Sequence, residues 1–411
     1  MKIAFFLGEF PVLSETFVIR QITGLVEAGH DVRIIAAKIR DLNLPHEKYL
    51  SLHLAELIYP LRHPTDGRAS QIVSLARFVL TSLWSARGWK ALRSAARAAT
   101  TGCRAAVMDI AAQSKFGSVG KFDAIIAHFG QVGVRAMFLQ RAGLIDGPIA
   151  TVFHGFDMSE KELVKRNLPN YERLFADTAL MLPISALWRA KLVQWGAAAD
   201  KVRILRMGVD VERLAMQDPA RPLKEPLKVL SVARFTEKKG LQYAVEGVRQ
   251  AASTVAYSII GSGPLEDDLR ALAANASPST IEFAGKQPHQ RVFEALEQAD
   301  IFLLPSVTAA NGDMEGVPVV LMEAMAKGVL VLATRHSGIP ELVEDGVSGM
   351  LVEERDDAAI ARALDEIASG RVDIRSMRIA ARHKVESMFD NAALDRELID
   401  IASSLQHHEH Q

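Results

Sequence analysis

Two carboxylates stand eight residues apart in Glu315-Gly-Val-Pro-Val-Val-Leu-Met-Glu323-Ala-Met-Ala-Lys-Gly328. Pro318 suits a first helical position and Gly328 the position beyond a last turn, so the spacing predicts a helix over 318–327. Glu315 then lies in the loop ahead of the helix, and Glu323 lies five residues in, about 7 to 8 Å along the axis at ~1.5 Å per residue. The apolar run 301–305 before this loop reads as a parallel strand. A helix start at the carboxyl edge of a sheet offers orphan N–H groups and the positive end of the dipole, which favour a phosphate. A nucleoside diphosphate sugar matches the layout, with diphosphate at the helix start, ribose hydroxyls on Glu323, and sugar hydroxyls beside Glu315 and the amides of Gly316 and Val317.

Two acids at this spacing also arise by chance, so a second feature matters. Ser-Val-Ala-Arg234-Phe-Thr-Glu-Lys-Lys239-Gly240 places an Arg at the end of one strand and a Lys at the start of the next helix. Two cations at such a turn can neutralise a departing diphosphate. Gly261-Ser-Gly263-Pro-Leu-Glu266 also follows a strand. Its sixth position is Glu, so the dinucleotide fingerprint fails, and no GxxxxGK[ST] is present. Gly261 and Gly263 are instead expected to let backbone approach a nucleotide.

In the first half, Gly8-Glu-Phe-Pro-Val-Leu-Ser14-Glu15-Thr16 is a polar loop between a strand and a helix. Ser14, Glu15 and Thr16 are its candidates for contact with an acceptor. His154 ends the apolar strand Val152-Phe-His154-Gly-Phe-Asp157, and His128-Phe-Gly130 repeats that pattern. The tail His407, His408 and His410 reads as polar sequence without the folded scaffold a metal needs.

The elements that must position these residues alternate almost from end to end, short apolar runs with helical-period segments, as in βαβ units with a parallel sheet. The runs 2–7, 31–37, 123–129, 149–154, 179–185 and 201–207 read as strands of a first half. The runs 228–233, 256–261, 281–284, 301–305, 330–334 and 350–352 read as strands of a second. A helix over about 14–28 has a Ser for its N-cap and Gly29 past its end. Pro219, Pro222 and Pro226 crowd the segment 208–228, which reads as a linker. The chain is therefore expected to be α/β, two Rossmann-like domains, residues 1–210 and 211–385, with 386–411 as a C-terminal helix and tail.

Residues 62–121 break the alternation. They hold ten Lys or Arg against Asp66 and Asp109, a net +8 in a chain whose total is −1. Their cations are interleaved with Ile72, Val73, Leu75, Phe78, Leu80, Leu83, Trp84, Trp89 and Leu92, which suits helices lying on an anionic membrane surface. A solvated basic insertion is the plainer reading. The balance of 48 Lys and Arg against 49 Asp and Glu argues against a nucleic-acid partner. The lone Cys103 forms no intramolecular disulfide, and no Cys/His set has zinc spacing, so the expected compartment is the cytoplasm. The opening MKIAFFLGEF is too short for a signal segment and reads as a buried strand.

With Arg234, Lys239, Glu315 and Glu323 in order on the second half, the chain resembles a retaining glycosyltransferase of family 4, of GT-B architecture. The likeness extends through Pro183-Ile-Ser185, Arg206-Met-Gly208-Val-Asp210, Leu304-Pro-Ser306 and Ser337-Gly-Ile-Pro-Glu341. Phe10-Pro-Val-Leu-Ser14-Glu15-Thr16-Phe17 and His154-Gly-Phe-Asp157 are similar to the branch that builds bacterial exopolysaccharides of the colanic acid type. The resemblance implies two domains facing each other across a deep cleft, a UDP- or GDP-linked donor on the second domain, and a glycan or lipid-linked glycan acceptor on the first. It also implies no separate cofactor, a peripheral position at the inner face of the cytoplasmic membrane, and a last helix after about Glu386 that crosses back to the first domain.

By position, the catalytic set would be Glu315, His154, Arg234 and Lys239. Arg234 and Lys239 would hold the diphosphate, Glu323 the ribose, and Glu315, Gly316 and Val317 the sugar, with His154 reaching it from the other domain. Many relatives read Glu-Gly-Phe-Gly where this chain has Glu315-Gly-Val-Pro318, which removes one N–H from the sugar's surroundings. No Asp-x-Asp triplet is present, so the resemblance implies hexosyl transfer without a metal. Two other readings share this pocket: a GT-B nucleotide-sugar epimerase, which needs no acceptor, and a noncatalytic nucleotide-sugar-binding scaffold.

Overall fold

The computed structural model describes residues 1–12, 15–40, 50–61, 67–274 and 276–408, with the side chains of 68–70 and 407–408 left aside. Ser14 and His410, and the side chains of His407 and His408, therefore lie outside the described residues.

The first half contains strands β1 (Lys2–Phe10), β2 (Asp31–Ile39), β3 (Ile58–Pro60), β4 (Ala124–His128), β5 (Ile149–Phe153) and β6 (Leu180–Pro183). Its helices are α1 (Thr16–Glu27), α2 (Arg68–Ser82), α3 (Ala86–Thr100), α4 (Arg104–Gln113), α5 (Gly130–Arg141), α6 (Phe156–Ser159), α7 (Lys161–Asp177) and α8 (Ala186–Gln194). The second half contains β7 (Leu227–Val232), β8 (Val255–Ile260), β9 (Thr280–Gly285), β10 (Ile301–Leu304), β11 (Leu330–Thr334) and β12 (Met350–Val352). Between and after them run α9 (Leu241–Gln250), α10 (Glu266–Leu272), α11 (His289–Gln298), α12 (Val319–Ala326), α13 (Ile339–Leu342), α14 (Asp357–Ala368), α15 (Ile374–Met388) and α16 (Asn391–His408).

The strands form two six-stranded sheets in the orders β3-β2-β1-β4-β5-β6 and β12-β11-β10-β7-β8-β9. Every described pairing between named strands is parallel. Continuous apolar runs such as Ile3–Leu7 and Ile301–Leu304 are buried on both faces, which is what a parallel sheet covered by helices on each side demands. Both sheets reverse direction of winding beside their first strand, between β1 and β4 and between β7 and β10. Loops splay apart at such a switch point and leave room for a ligand at the carboxyl edge. The turn 233–240 and the loop 305–318 both leave the second of these points.

One core lies in the first domain and two in the second, one on each face of its sheet. Leu398, Ile401, Ala402 and Leu405 of α16 are buried in the first core, although the helix comes last in sequence. The chain crosses between the bodies at two adjacent places. Val209 donates its N–H to the Phe389 carbonyl at 2.9 Å and Asn391 donates to the Val209 carbonyl at 3.0 Å. Asp210 accepts from Arg20 Nε at 2.8 Å and from Asn391 Nδ2 at 3.1 Å. The return starts at Asn391 rather than near Glu386, because α15 runs to Met388 with Ala381 and Val385 held in the second core.

Three expectations about elements are corrected. Residues 201–207 make no regular strand; they run along the edge of β6 with one bridge, Val202 to Met181, and with the N–H groups of Arg203 and Leu205 donating to the Met181 and Pro183 carbonyls at 3.1 and 3.0 Å, contacts that do not extend into a full ladder. The short strand β3 was not legible in the sequence. The helix expected over 318–327 spans Val319–Ala326, with Pro318 as N-cap, and α1 begins at Thr16 with Glu15 as N-cap and no side-chain cap bond.

Candidate active site

Three consecutive residues in the turn after β7 grip the loop before α12. Glu237 Oε1 accepts the Ala310 N–H at 2.9 Å. Lys238 Nζ lies 3.1 Å from the Asp313 carboxylate, and Lys239 Nζ lies 2.8 Å from Glu315 Oε1. Glu315 is only 7% exposed. Burial pushes its carboxyl upward, but the charges of Lys239 and Lys238 outweigh this and hold it below the ordinary carboxylate range. A buried acid is thus kept ionised by the cations that the turn supplies.

The Glu315 peptide is fixed at both ends. Its N–H donates to His336 Nε2 at 3.0 Å, and its carbonyl accepts from Ser337 Oγ at 2.6 Å. Gly316 and Val317 follow, and among the described residues neither amide has a hydrogen-bond partner. Glu323 sits on the second turn of α12 with His289 Nε2 at 3.2 Å. The bond to Glu323 raises the His289 pKa against the effect of burial. Arg234 is exposed and takes part in no ion pair among the described residues.

Gly261 has φ +142°, and a Cβ there would fall 1.8 Å from the Ala233 carbonyl oxygen; one at Gly263 would fall 2.5 Å from the Phe235 carbonyl oxygen. The turn after β8 therefore lies directly on the Arg234 turn. Both glycines are required by that backbone contact, whatever else they touch.

The first domain brings β5 and its following turn to the same place. A Cβ on Gly316 would lie 2.7 Å from the His154 carbonyl oxygen, and one on Gly155, at φ +106°, would lie 3.3 Å from the Glu315 carbonyl oxygen and from Gly316 Cα. Ser159 Oγ accepts the Met314 N–H at 3.0 Å, and the Lys161 N–H donates to the Asn311 carbonyl at 2.9 Å. Glu341 reaches across to the start of α8, accepting the N–H groups of Ala186 and Leu187 at 2.9 and 3.1 Å. The loops of the two domains thus meet around Glu315.

His154 is buried, 3.0 Å through Nε2 from His128 Nδ1, with the rings of Phe17 and Phe129 beside it. Burial drives the His128 pKa down to about 3 and that of His154 well below its ordinary value, so both rings are neutral. Asp157 ties this region together: Oδ1 accepts from the amides of His154 and Gly155 at 2.9 and 3.0 Å, and Oδ2 from Gly130 at 2.7 Å. Its pKa is raised to about 6 by burial, opposed by those amides. Glu15, in the loop after β1, is pushed up to about 7 by burial and by the charge of Glu9. Thr16 is exposed.

The profile of the family described as "Glycosyl transferases group 1" matches residues 215–384, which include Arg234, Lys238, Lys239, Gly261, Gly263, Glu315 and Glu323. A putative colanic acid biosynthesis glycosyltransferase of Salmonella typhimurium, WcaL, is 42% identical over 98% of this chain and 100% of its own length. The chain belongs to the group 1 glycosyl transferases. The amylovoran biosynthesis glycosyltransferase AmsK of Erwinia amylovora is 39% identical over 98% of this chain and 100% of its own length. Anabaena HepE, solved in complex with UDP and glucose, superimposes with a TM-score of 0.69 at 17% identity over 98% of this chain and 100% of that one, a likeness of fold that establishes the GT-B architecture.

For this glycosyltransferase the sequence reading gave Lys239 and Glu315 separate tasks, whereas the structure joins them as an ion pair. Glu323 stands apart from that pair, next to His289. Residues that sequence reasoning did not single out are Lys238, Asp313 and His336, together with Glu354, whose Oε1 lies 2.5 Å from His336 Nδ1; Asp157 was quoted only as part of its motif. Lys238 had a signal in its adjacency to Lys239. His336 and Glu354 had none, because their partners come from other loops.

Proposed function

We propose that this glycosyltransferase moves a hexosyl group, with retention of anomeric configuration, from a UDP- or GDP-linked sugar to a hydroxyl of a lipid-linked glycan during bacterial exopolysaccharide synthesis. The observation that carries the donor reading is the Lys239–Glu315 pair at the β7/β10 switch point, beside the α12 start and the unpaired Arg234. Arg234 and Lys239 meet the diphosphate, Glu323 the ribose, and Glu315 with the amides of Gly316 and Val317 the sugar. His154 closes on the sugar from the first domain, and Glu15 and Thr16 flank the acceptor. The likeness to WcaL over the whole chain supports the exopolysaccharide setting.

In the reaction the bond between the anomeric carbon and the β-phosphate oxygen breaks, and the acceptor oxygen forms its bond on the same face. The acceptor proton passes to the leaving phosphate oxygen. Positive charge builds on the sugar ring and negative charge on the diphosphate, so an ionised Glu315 near the ring and Arg234 with Lys239 near the phosphates each lower the barrier. In this reading protein cations and the helix start do the work that a divalent metal would otherwise do. The test is an NMR assay of the product: an α-linked donor yields an α-linked product, and transfer persists in EDTA. An inverted product or loss of transfer with EDTA refutes the corresponding part.

The lipid-linked acceptor is supported by α2 and α3. Ile72, Val73 and Leu80 of α2 and Trp84 in the turn after it are 68, 66, 64 and 89% exposed, so this segment turns apolar side chains outward. Arg87, Lys90, Arg93 and Arg97 of α3 are exposed beside them, and the acid Asp109 is buried against Arg135 at 2.6 Å. Exposed apolar side chains on a segment whose one acid among the described residues 67–121 is the buried Asp109 suit the headgroup region of anionic lipid, and the excess of cations disfavours a second copy, which would bring like charges together. Among the described residues no helix is long and apolar enough to cross a membrane. The enzyme would therefore work in the cytoplasm, at the inner face of the membrane.

A further inference from the structure

The Glu315 loop is braced from behind by a chain of polar groups that ends on Glu354. A main-chain N–H has no lone pair, so the 3.0 Å contact between Glu315 N and His336 Nε2 requires Nε2 to be the acceptor. The ring proton must then sit on Nδ1, which lies 2.5 Å from Glu354 Oε1. His336 is 0% exposed, so water cannot substitute for either partner. Glu354 also accepts the Thr308 N–H at 2.9 Å and the Thr308 hydroxyl at 3.3 Å. Burial pushes its carboxyl up, and the Thr308 amide and His336 pull it below the ordinary range, so it is ionised.

Thr308 and Glu315 stand at opposite ends of the loop that Glu237, Lys238 and Lys239 grip from the other side. Glu354 thus holds one end directly and the other through His336, while Ser337 Oγ holds the Glu315 carbonyl. The geometry points to His336 and Glu354 as positioning residues for donor-sugar recognition: they fix the Glu315 peptide so that its carboxylate and the following Gly316 and Val317 amides face the sugar. An imidazolium at His336 would turn a second N–H toward the Glu315 N–H and break the brace. This inference rests on the assignment of the sugar to Glu315, Gly316 and Val317, and it adds two residues that would not themselves touch the donor.

The test has two arms. In the first, 15N-histidine NMR of the wild-type protein reads the tautomer. A bare Nε2 and a protonated Nδ1 at His336, unchanged in the presence of donor, are expected; a protonated Nε2 overturns the brace whatever the enzyme's substrate. In the second, binding of the free nucleoside diphosphate is compared with binding of the matching nucleotide sugar, using the pair that the wild type prefers. His336→Phe, which removes the bonds to both Glu315 and Glu354, keeps nucleotide affinity but loses about tenfold of the increment due to the sugar, the order expected for freeing the Glu315 peptide in a dry site. His336→Gln, whose amide oxygen can accept from Glu315 and whose NH2 can donate to Glu354, restores most of it. If His336→Phe does not fold, Glu354→Gln, which places an NH2 group against either Thr308 or His336, is expected to show the same split. A full sugar increment in His336→Phe or in Glu354→Gln overturns the proposal, whereas failure of any nucleotide to bind the wild type refutes the donor reading and leaves the tautomer arm to decide the brace.

Discussion

Lys239 Nζ lies 2.8 Å from Glu315 Oε1, joining the cation assigned to the leaving diphosphate with the carboxylate assigned to the sugar. The two sides of the bond to be broken are thus electrically linked before chemistry begins. The pair is mostly buried, with side chains 13% and 9% exposed, so removing one partner leaves an uncompensated charge. Lys239→Met is expected to lower unfolding stability by about 3 to 5 kcal/mol in urea titrations. Lys239→Met with Glu315→Gln is expected to recover most of that stability yet transfer no sugar. Equal stability of the single variant and the wild type would show that the pair has no energetic role.

The same pair sets a pH dependence. The folded-state pKa of Glu315 lies below its ordinary value of 4.5, so its contribution to stability is present above about pH 4.5 and is lost as pH falls through the folded value. The stability gap between wild type and Glu315→Gln should be widest near neutrality and close in acid. A gap that is constant from pH 7 to pH 3.5 contradicts this.

Glu15 runs the other way. Its folded pKa is raised from 4.5 to about 7, so the folded state holds the proton more tightly and stability falls as pH rises between those values. Glu15→Gln should be more stable than wild type at pH 8, and the difference should vanish by pH 4. Urea midpoints at the two pH values decide this, and a pH-independent difference counts against a half-buried acid in the loop after β1.

Reversing Arg87, Lys90, Arg93 and Arg97 to Glu is expected to abolish sedimentation with phosphatidylglycerol-containing vesicles. Trp84→Ala with Leu80→Ala should weaken binding severalfold without changing its salt dependence, since it removes apolar contact only. Unchanged binding in the charge-reversed protein would remove the membrane reading while leaving the donor site untouched.

Much of this architecture was legible because it depends on local pattern. Buried runs such as Ile301–Leu304 announce parallel strands, and Pro318 and Gly328 bracket α12 to within a residue. Residue type also singled out Glu315 and Lys239, but not their contact, which depends on how two loops leave neighbouring strands. His336 and Glu354 were invisible for the same reason: each is an ordinary polar residue until the fold brings Glu315 to one and Thr308 to the other. Segment 201–207 has the composition of a strand and lies against β6, yet it is joined to it by a bridge and two N–H bonds rather than a full ladder, a register that sequence does not report. The interleaved cations and apolar residues of 62–121 suited helices, while the outward direction of Ile72, Leu80 and Trp84 emerged only from the packing of other side chains of this segment on the first domain.

The most direct test of the central claim is a thermal-shift panel of UDP, GDP, ADP and their common sugar conjugates on wild type and Glu323→Ala, because a ligand that binds the native state raises its apparent stability. The account predicts that one base raises Tm in the wild type, that its sugar conjugate raises it further, and that both shifts are largely lost in Glu323→Ala. A wild type that no nucleotide stabilises, or a shift that Glu323→Ala retains in full, would contradict the placement of the donor at the start of α12.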